Sequence, residues 1–219
     1  MNLSDGHSYD TIDFVKKTYL VVGLGNPEGK YFQTYHNVGF LAVDNLCARF
    51  NLQFKKKGNQ LLSQYKTPNT GDTVFVLKPL TYMNLSGQAV AAVARKYKIE
   101  TEDIIVFTDD LYIDKGNIRI SAGGSGGGHN GLRSINDILK SNKYIKIRIG
   151  IKPEKPPKNG NANYVLSKID AESRPLVDVA IEKAVNAAIS ITDGETVAKM
   201  QNLYNTVNNT VSNNVENPD

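Results

Sequence analysis

Three short apolar runs, TYLVVG at 18–23, IIVFTDD at 104–110 and YIKIRIGI at 144–151, are rich in β-branched residues and end at turn signals. Stretches of helical length lie between them. A strand apolar at nearly every position needs cover on both faces, so this alternation constrains the chain more than any other feature. It predicts an α/β fold: a single-domain three-layer sandwich, with a largely parallel, mixed, twisted sheet and helices on both faces. Further strands are expected near 60–66, 73–78 and 117–121. Helices are expected near 36–50, 84–98, 131–141, 174–191 and 195–207. The segment KPEKPPKNGN reads as a surface loop, and Ser173-Arg174-Pro175 has the cap-then-proline form of a helix start. The expected organisation is an N-terminal extension at 1–17, one domain at 18–207 and a disordered Asn-rich tail at 208–219. A length of 219 residues suits one core rather than two.

Composition narrows the function classes. The apolar fraction is 40%, and no apolar run reaches the roughly 18 to 20 residues of a membrane span. Residues 1–17 lack the basic start and apolar stretch of a secretory signal, and they carry Asp5, Asp10 and Asp13 where a transit peptide avoids acids. A cytoplasmic protein with no membrane partner is therefore expected. The single Cys47 falls at helical spacing with Phe40, Val43 and Phe50, which points to burial. Lys and Arg exceed Asp and Glu by 26 to 22, and the pI is near 9.0, which is compatible with a polyanionic partner. Lys55, Lys56 and Lys57 run together, and Arg119, Arg133, Lys143, Lys146, Arg148 and Lys152 cluster in the second half.

Several chemistries can be set aside. The histidines are His7, His36 and His129, and no HExxH or CxxC spacing is present, so a dedicated metal site is not expected. Gly23-Leu24-Gly25 follows a strand, but Glu28 stands at the third position of a dinucleotide fingerprint. Gly123 to Gly127 formally matches the G-x-S-x-G elbow, with Ser125 as nucleophile, yet the only later histidine is four residues on. Six glycines between 123 and 131 fit better as a loop whose backbone approaches a ligand. Three segments instead place Asn or His beside Gly at element boundaries: Gly25-Asn26-Pro27 with His36-Asn37-Val38-Gly39, then Met83-Asn84-Leu85-Ser86-Gly87, and Gly128-His129-Asn130-Gly131. Taken singly, each Asn could merely cap a helix or accept a left-handed turn. Together with an imidazole base and a carboxylate, neutral amides could hold water and an activated ester. In an α/β sheet the working residues gather at the carboxyl ends of the strands, where Asn26, Asp109 and Asp110 fall.

These residues resemble the bacterial-type peptidyl-tRNA hydrolases. The resemblance covers about residues 18–190 in unbroken order: GLGNPEGKYFQTYHNVGF, then KPLTYMNLSG, then TDDLYIDKGNIRI, then GGSGGGHNGLRSI with RIGI and YVLSKI. It implies a metal-independent monomeric esterase that needs no cofactor and frees a peptide from the 3′-terminal ribose of tRNA. It implies that His36 is the general base and that Asp109 orients it. Asn26 would contact the peptide and help distinguish a blocked amine from a free one. Asn84 and Asn130 would bind the 3′ end and hold the attacking water or the oxyanion. Tyr31 and Tyr82 would stack on terminal nucleotides, Met83 would form an apolar wall, and Arg119 and Arg148 would meet tRNA phosphates. Two positions depart from the family pattern: Tyr35 where Arg commonly precedes the histidine, and Ser121 where a second basic residue is common. Lys115 or Lys143 could offset them. The rival is a non-catalytic RNA-binding relative of the same fold, of the kind found in organellar splicing factors. An Asp109→Asn change is expected to cost less than loss of His36, because a hydrogen-bonding partner remains.

Overall fold

A computed structural model describes residues 16–205. The expected N-terminal extension, apart from Lys16 and Lys17, and the Asn-rich tail lie outside the described residues.

The sheet has seven strands in the order β2-β3-β4-β1-β5-β7-β6. They are β1 (Thr18–Gly23), β2 (Lys55–Lys56), β3 (Gln60–Lys66), β4 (Thr73–Pro79), β5 (Ile104–Asp110), β6 (Ile118–Ala122) and β7 (Ile145–Gly150). β1 runs parallel to β4 and β5, and β5 runs parallel to β7. The outer strands β2, β3 and β6 add antiparallel. The helices are α1 (Val38–Arg49), α2 (Ser86–Tyr97), α3 (Asn130–Leu139), α4 (Gly160–Val165), α5 (Arg174–Thr192) and α6 (Val197–Tyr204). No helix among the described residues is long and apolar enough to cross a membrane.

The three-layer expectation holds because the central strands alternate between two cores. Tyr19 and Val21 of β1, with Ile105 and Phe107 of β5, face a cluster shared with α1 and α5. Leu20, Val22, Ile104 and Val106 face a second cluster shared with α2 and α3. Both faces of β1 and β5 are thus dry, which is why these strands read as continuous apolar runs. Cys47 is buried as expected, and burial pushes its thiol up to about 12.

One close approach positions the site. A Cβ on Gly39, in the first turn of α1, would lie 2.5 Å from the Leu24 nitrogen and 2.6 Å from the Phe107 oxygen. Glycine there lets α1 lie against the carboxyl ends of β1 and β5. His36, in the 3-10 turn Tyr35–Asn37 just before α1, is thereby carried to Asp109 near the end of β5.

The basic cluster of the second half does not survive as a continuous patch. Lys146 is fully buried and donates to the carbonyls of Gly123 and Asn142, and burial, with Arg148 nearby, lowers its pKa to about 8. Arg148 pairs with Asp110 at 3.2 Å and Lys152 with Asp114 at 2.8 Å. Arg119, Arg133 and Lys143 stay exposed, and no salt bridge among the described residues involves them. Ser173 does stand at the helix N-terminus, but its hydroxyl donates to Asp170 rather than capping α5.

Candidate active site

At the carboxyl edge of the parallel strands lies a cleft of about 770 Å³. Its walls include Asn26, His36, Asn84, Asp109 and Asn130, residues spread over more than a hundred positions of sequence. His129 joins them, as do Tyr31, Tyr82 and Met83.

Asp109 is the hub. His36 Nδ1 lies 3.0 Å from its Oδ1 and 3.1 Å from its Oδ2, and His129 Nε2 lies 2.9 Å from the same Oδ1. Burial alone would raise the pKa of this carboxyl. The two imidazoles, His129 first and then His36, with their hydrogen bonds, outweigh burial and hold it well below the usual carboxylate range. For His36 burial works the other way, yet the charge and hydrogen bond of Asp109 prevail, and the imidazole is raised above its ordinary value. With Nδ1 committed to Asp109, the nitrogen left to take a proton from water is Nε2.

The asparagines are oriented by the backbone around them. The Asn37 side chain accepts from the Asn26 nitrogen at 2.9 Å and donates to the Asn26 carbonyl at 3.0 Å, clamping the loop after β1 to the His36 turn. The Met83 nitrogen donates to Asn26 Oδ1 at 2.9 Å. A backbone N–H fixes which amide atom is oxygen, so the Nδ2 donor of Asn26 is the atom left for the cleft. Asn130 is held similarly: Arg133 Nη2 donates to its Oδ1 at 2.5 Å, leaving Nδ2 as the donor. Asn84 is exposed within the 3-10 turn Met83–Leu85. The arrangement offers one base, its carboxylate and several neutral donors around a common space, which suits attack by water on a carbonyl.

Met83 is 4% exposed and serves as wall, whereas Tyr82 is 54% exposed and presents a free ring. Tyr31 is partly buried, with the Lys30 ammonium 4.9 Å from its ring centroid. Arg148 lines the cleft, but its guanidinium is already bonded to Asp110 and to the Ser125 carbonyl at 2.7 Å, and its Nε is buried without a hydrogen-bond partner. Arg119 is absent from the cleft lining and projects, exposed, from the edge strand β6. Tyr35 is 1% exposed, stacks on Tyr164 at 4.7 Å and donates to Asp170 at 2.8 Å. Its ring is a core element rather than a surface substitute for arginine. Lys115, considered as an offset for that missing charge, donates to the Ser173 hydroxyl at 2.6 Å.

Sequence reasoning passed over His129 and Asn37 as functional residues. His129 occupies the N-cap position of α3, and its Nδ1 accepts from the nitrogens of Gly131 at 3.1 Å and Leu132 at 3.4 Å. Both of its nitrogens are therefore engaged, so the Ser125 reading has no base. The same pattern bears on metal binding. His36, Asp109 and His129 bring three donor atoms within 4.8 Å. For Nε2 of His129 to bind a cation, its proton would have to move to Nδ1, against two backbone N–H groups. The trio is better suited to sharing protons than to ligating a metal.

Comparison with known proteins agrees in sequence and shape. A sequence model of the family described as peptidyl-tRNA hydrolase matches residues 20–214. The peptidyl-tRNA hydrolase of Prosthecochloris aestuarii is 43% identical over 188 residues, 85% of this chain and 96% of that protein. That of Agathobacter rectalis is 40% identical, covering 85% of this chain and all of the relative. The crystal structure of peptidyl-tRNA hydrolase from Acinetobacter baumannii superposes with a TM-score of 0.77 at 34% identity, covering 84% of this chain and 93% of that one.

Proposed function

The chain belongs to the peptidyl-tRNA hydrolase family, and we propose that it cleaves the ester between a peptide and the 3′-terminal ribose of tRNA by base-assisted attack of water. The observation that carries the mechanism is the His36–Asp109 contact of 3.0 Å within a cleft lined by Asn26, Asn84 and Asn130. Water gives a proton to His36 Nε2 as its oxygen joins the carbonyl carbon. Asp109 favours the imidazolium that results. The C–O bond to ribose then breaks, and the proton held by His36 passes to the departing ribose oxygen. Asn130 and Asn84 hold the water and the developing oxyanion. Asn26 directs its Nδ2 donor at the peptide and favours substrates with a blocked amine. An ester is already reactive, so positioning together with general-base help of about 10²- to 10⁴-fold accounts for most of the acceleration.

The exposed Tyr82 ring and Tyr31 supply faces on which the terminal bases stack. Met83 backs the peptide or adenine. The protein works as a cytoplasmic monomer, recycling tRNA from peptides released prematurely, without metal or cofactor. The test is incubation with N-blocked aminoacyl-tRNA and its unblocked counterpart, with and without EDTA. Release from the blocked substrate alone, unchanged by chelation, is the expected result. Binding of tRNA without release would favour the non-catalytic relative, and loss of release in EDTA would refute the metal-free mechanism.

Arg119, exposed and in no salt bridge among the described residues, is the better placed of the two arginines to meet a tRNA phosphate. Arg148 would offer only the part of its guanidinium not already bonded to Asp110 and Ser125. An Arg119→Ala change should weaken binding of full-length tRNA and flatten its salt dependence by about 0.7 to 0.9 of a log–log slope unit. A minimal ester on a short 3′ fragment should be cleaved as before. Equal slowing on both substrates would remove Arg119 from the phosphate-binding face.

A further inference from the structure

Asp109 Oδ1 receives two imidazoles, and the structure treats them differently. His36 belongs to a 3-10 turn and has one nitrogen uncommitted. His129 has none: the first turn of α3 donates two backbone N–H groups to Nδ1, and Nε2 faces Asp109. A ring that accepts at Nδ1 is neutral and carries its proton on Nε2. The helix terminus therefore dictates which nitrogen of His129 is a donor, and the donor points at the carboxylate on which the base depends.

We propose that His129 is a positioning residue for the hydrolysis: α3 fixes its Nε2–H tautomer, and that N–H pins the Asp109 carboxylate beside His36 while drawing off part of its negative charge. This rests on the reading of His36 as the base. A carboxylate shared between two donors stabilises the His36 imidazolium less than one devoted to it. His129 thus keeps His36 from becoming too basic to be unprotonated at working pH. From the other walls of the cleft the ionisable groups are Tyr31, Tyr82, Tyr112, Arg133, and Asp110 held by Arg148. All of them remain in place in the variants below.

Two substitutions separate the ring's two contacts. In His129→Asn the side-chain oxygen takes the place of Nδ1 and still caps the helix, but the amide stops short of Asp109. In His129→Gln the amide nitrogen reaches Asp109 while the cap is lost. The His36 imidazole is titrated by NMR in the wild type and both variants, alongside the pH profile of kcat/KM on N-blocked aminoacyl-tRNA and thermal melting. The Asn variant is expected to melt close to wild type, with the His36 midpoint and the acid limb both moved up by about half to one pH unit, the size of one ordinary net hydrogen bond. The Gln variant should keep the wild-type midpoint and melt lower. An Asn variant with unmoved midpoint and limb would make His129 a helix cap and nothing more. An equal shift in both variants would equally overturn the proposal, because the donor to Asp109 is kept in one of them. If the wild type released no peptide, the hydrolase reading would fail, while the NMR comparison would still decide the role of His129.

Discussion

Replacing His36 by Ala is expected to lower kcat on N-blocked aminoacyl-tRNA by about 10²- to 10⁴-fold, the range a positioned general base supplies. No neighbour can substitute for it. His129 is nearest, its ring centroid 4.9 Å from that of His36, but its Nε2 is bonded to Asp109 and its Nδ1 to α3. Binding of tRNA should survive, since the stacking rings and Arg119 are untouched. The variant should also show a pH-dependent loss of stability. Folding raises the His36 pKa, so the stabilisation is fully present below the unfolded imidazole value and is lost as pH rises through the folded value. The carboxyl of Asp109 is depressed, so its contribution persists above the unfolded carboxylate value and is lost only under more acid conditions. The melting deficit of His36→Ala should accordingly be larger at pH 5 than at pH 9. Near-wild-type turnover in a folded variant would remove His36 as the base.

The parts of this protein that could be read from sequence are those whose side chains alone determine them. TYLVVG and IIVFTDD announce buried parallel strands because both faces of β1 and β5 are covered. By contrast β2 is two exposed lysines, Lys55 and Lys56, paired with Leu62 and Leu61. Only the register of a neighbouring strand makes them a strand. Helix α4 was not expected: the surface-loop reading of KPEKPPKNGN takes in only its first two residues, Gly160 and Asn161, and GNANYV is too short to show a helical period. It is anchored by Tyr164, which stacks on Tyr35 and donates to the Ile151 carbonyl. Lys146 was counted with a surface patch, although its place between isoleucines in IKIRIG, at the start of the strand, was a usable signal. Its side of β7 is covered at that point, and the Lys146 ammonium is taken up by the carbonyls of Gly123 and Asn142, whereas Arg148, two residues on, reaches the cleft.

The site shows the same division. Strand-end position pointed to Asn26, Asp109 and Asp110, the resemblance added His36, Asn84 and Asn130, and the structure brings all six into one cleft. His129 escaped because its function depends on direction rather than identity. It stood in a glycine-rich segment, next to an asparagine that matched the resemblance, and imidazole is not among the usual helix caps. Nothing in the letters shows that its two nitrogens join α3 to Asp109. Asn37 escaped for a related reason: its two bonds to the Asn26 backbone fix a loop and touch no substrate.

That shared carboxylate changes the expectation for Asp109→Asn. From sequence, an amide at 109 should have been tolerated better than loss of His36, because a hydrogen-bonding partner remains. In the structure both partners of Asp109 approach as donors, His129 through a tautomer fixed by α3 and His36 through Nδ1. The amide oxygen can replace Oδ1, which His129 and His36 share, but the NH2 group must then stand where Oδ2 lies 3.1 Å from His36 Nδ1. Two donors cannot face each other there. His36 escapes by moving its proton to Nε2, and Nε2 is the atom that must accept from water. The variant is therefore expected to lose about as much turnover as His36→Ala, on the order of 10²- to 10⁴-fold, with little change in KM. Kinetics across pH would be measured together with nitrogen shifts of His36, which report the protonated ring atom directly. A tautomer switched to Nε2–H with kcat lost to a similar extent is the expected pair of results. Turnover within about tenfold of wild type, with the proton still on Nδ1, would show that Asp109 acts by its charge alone and that its geometry toward His36 is not what the reaction uses.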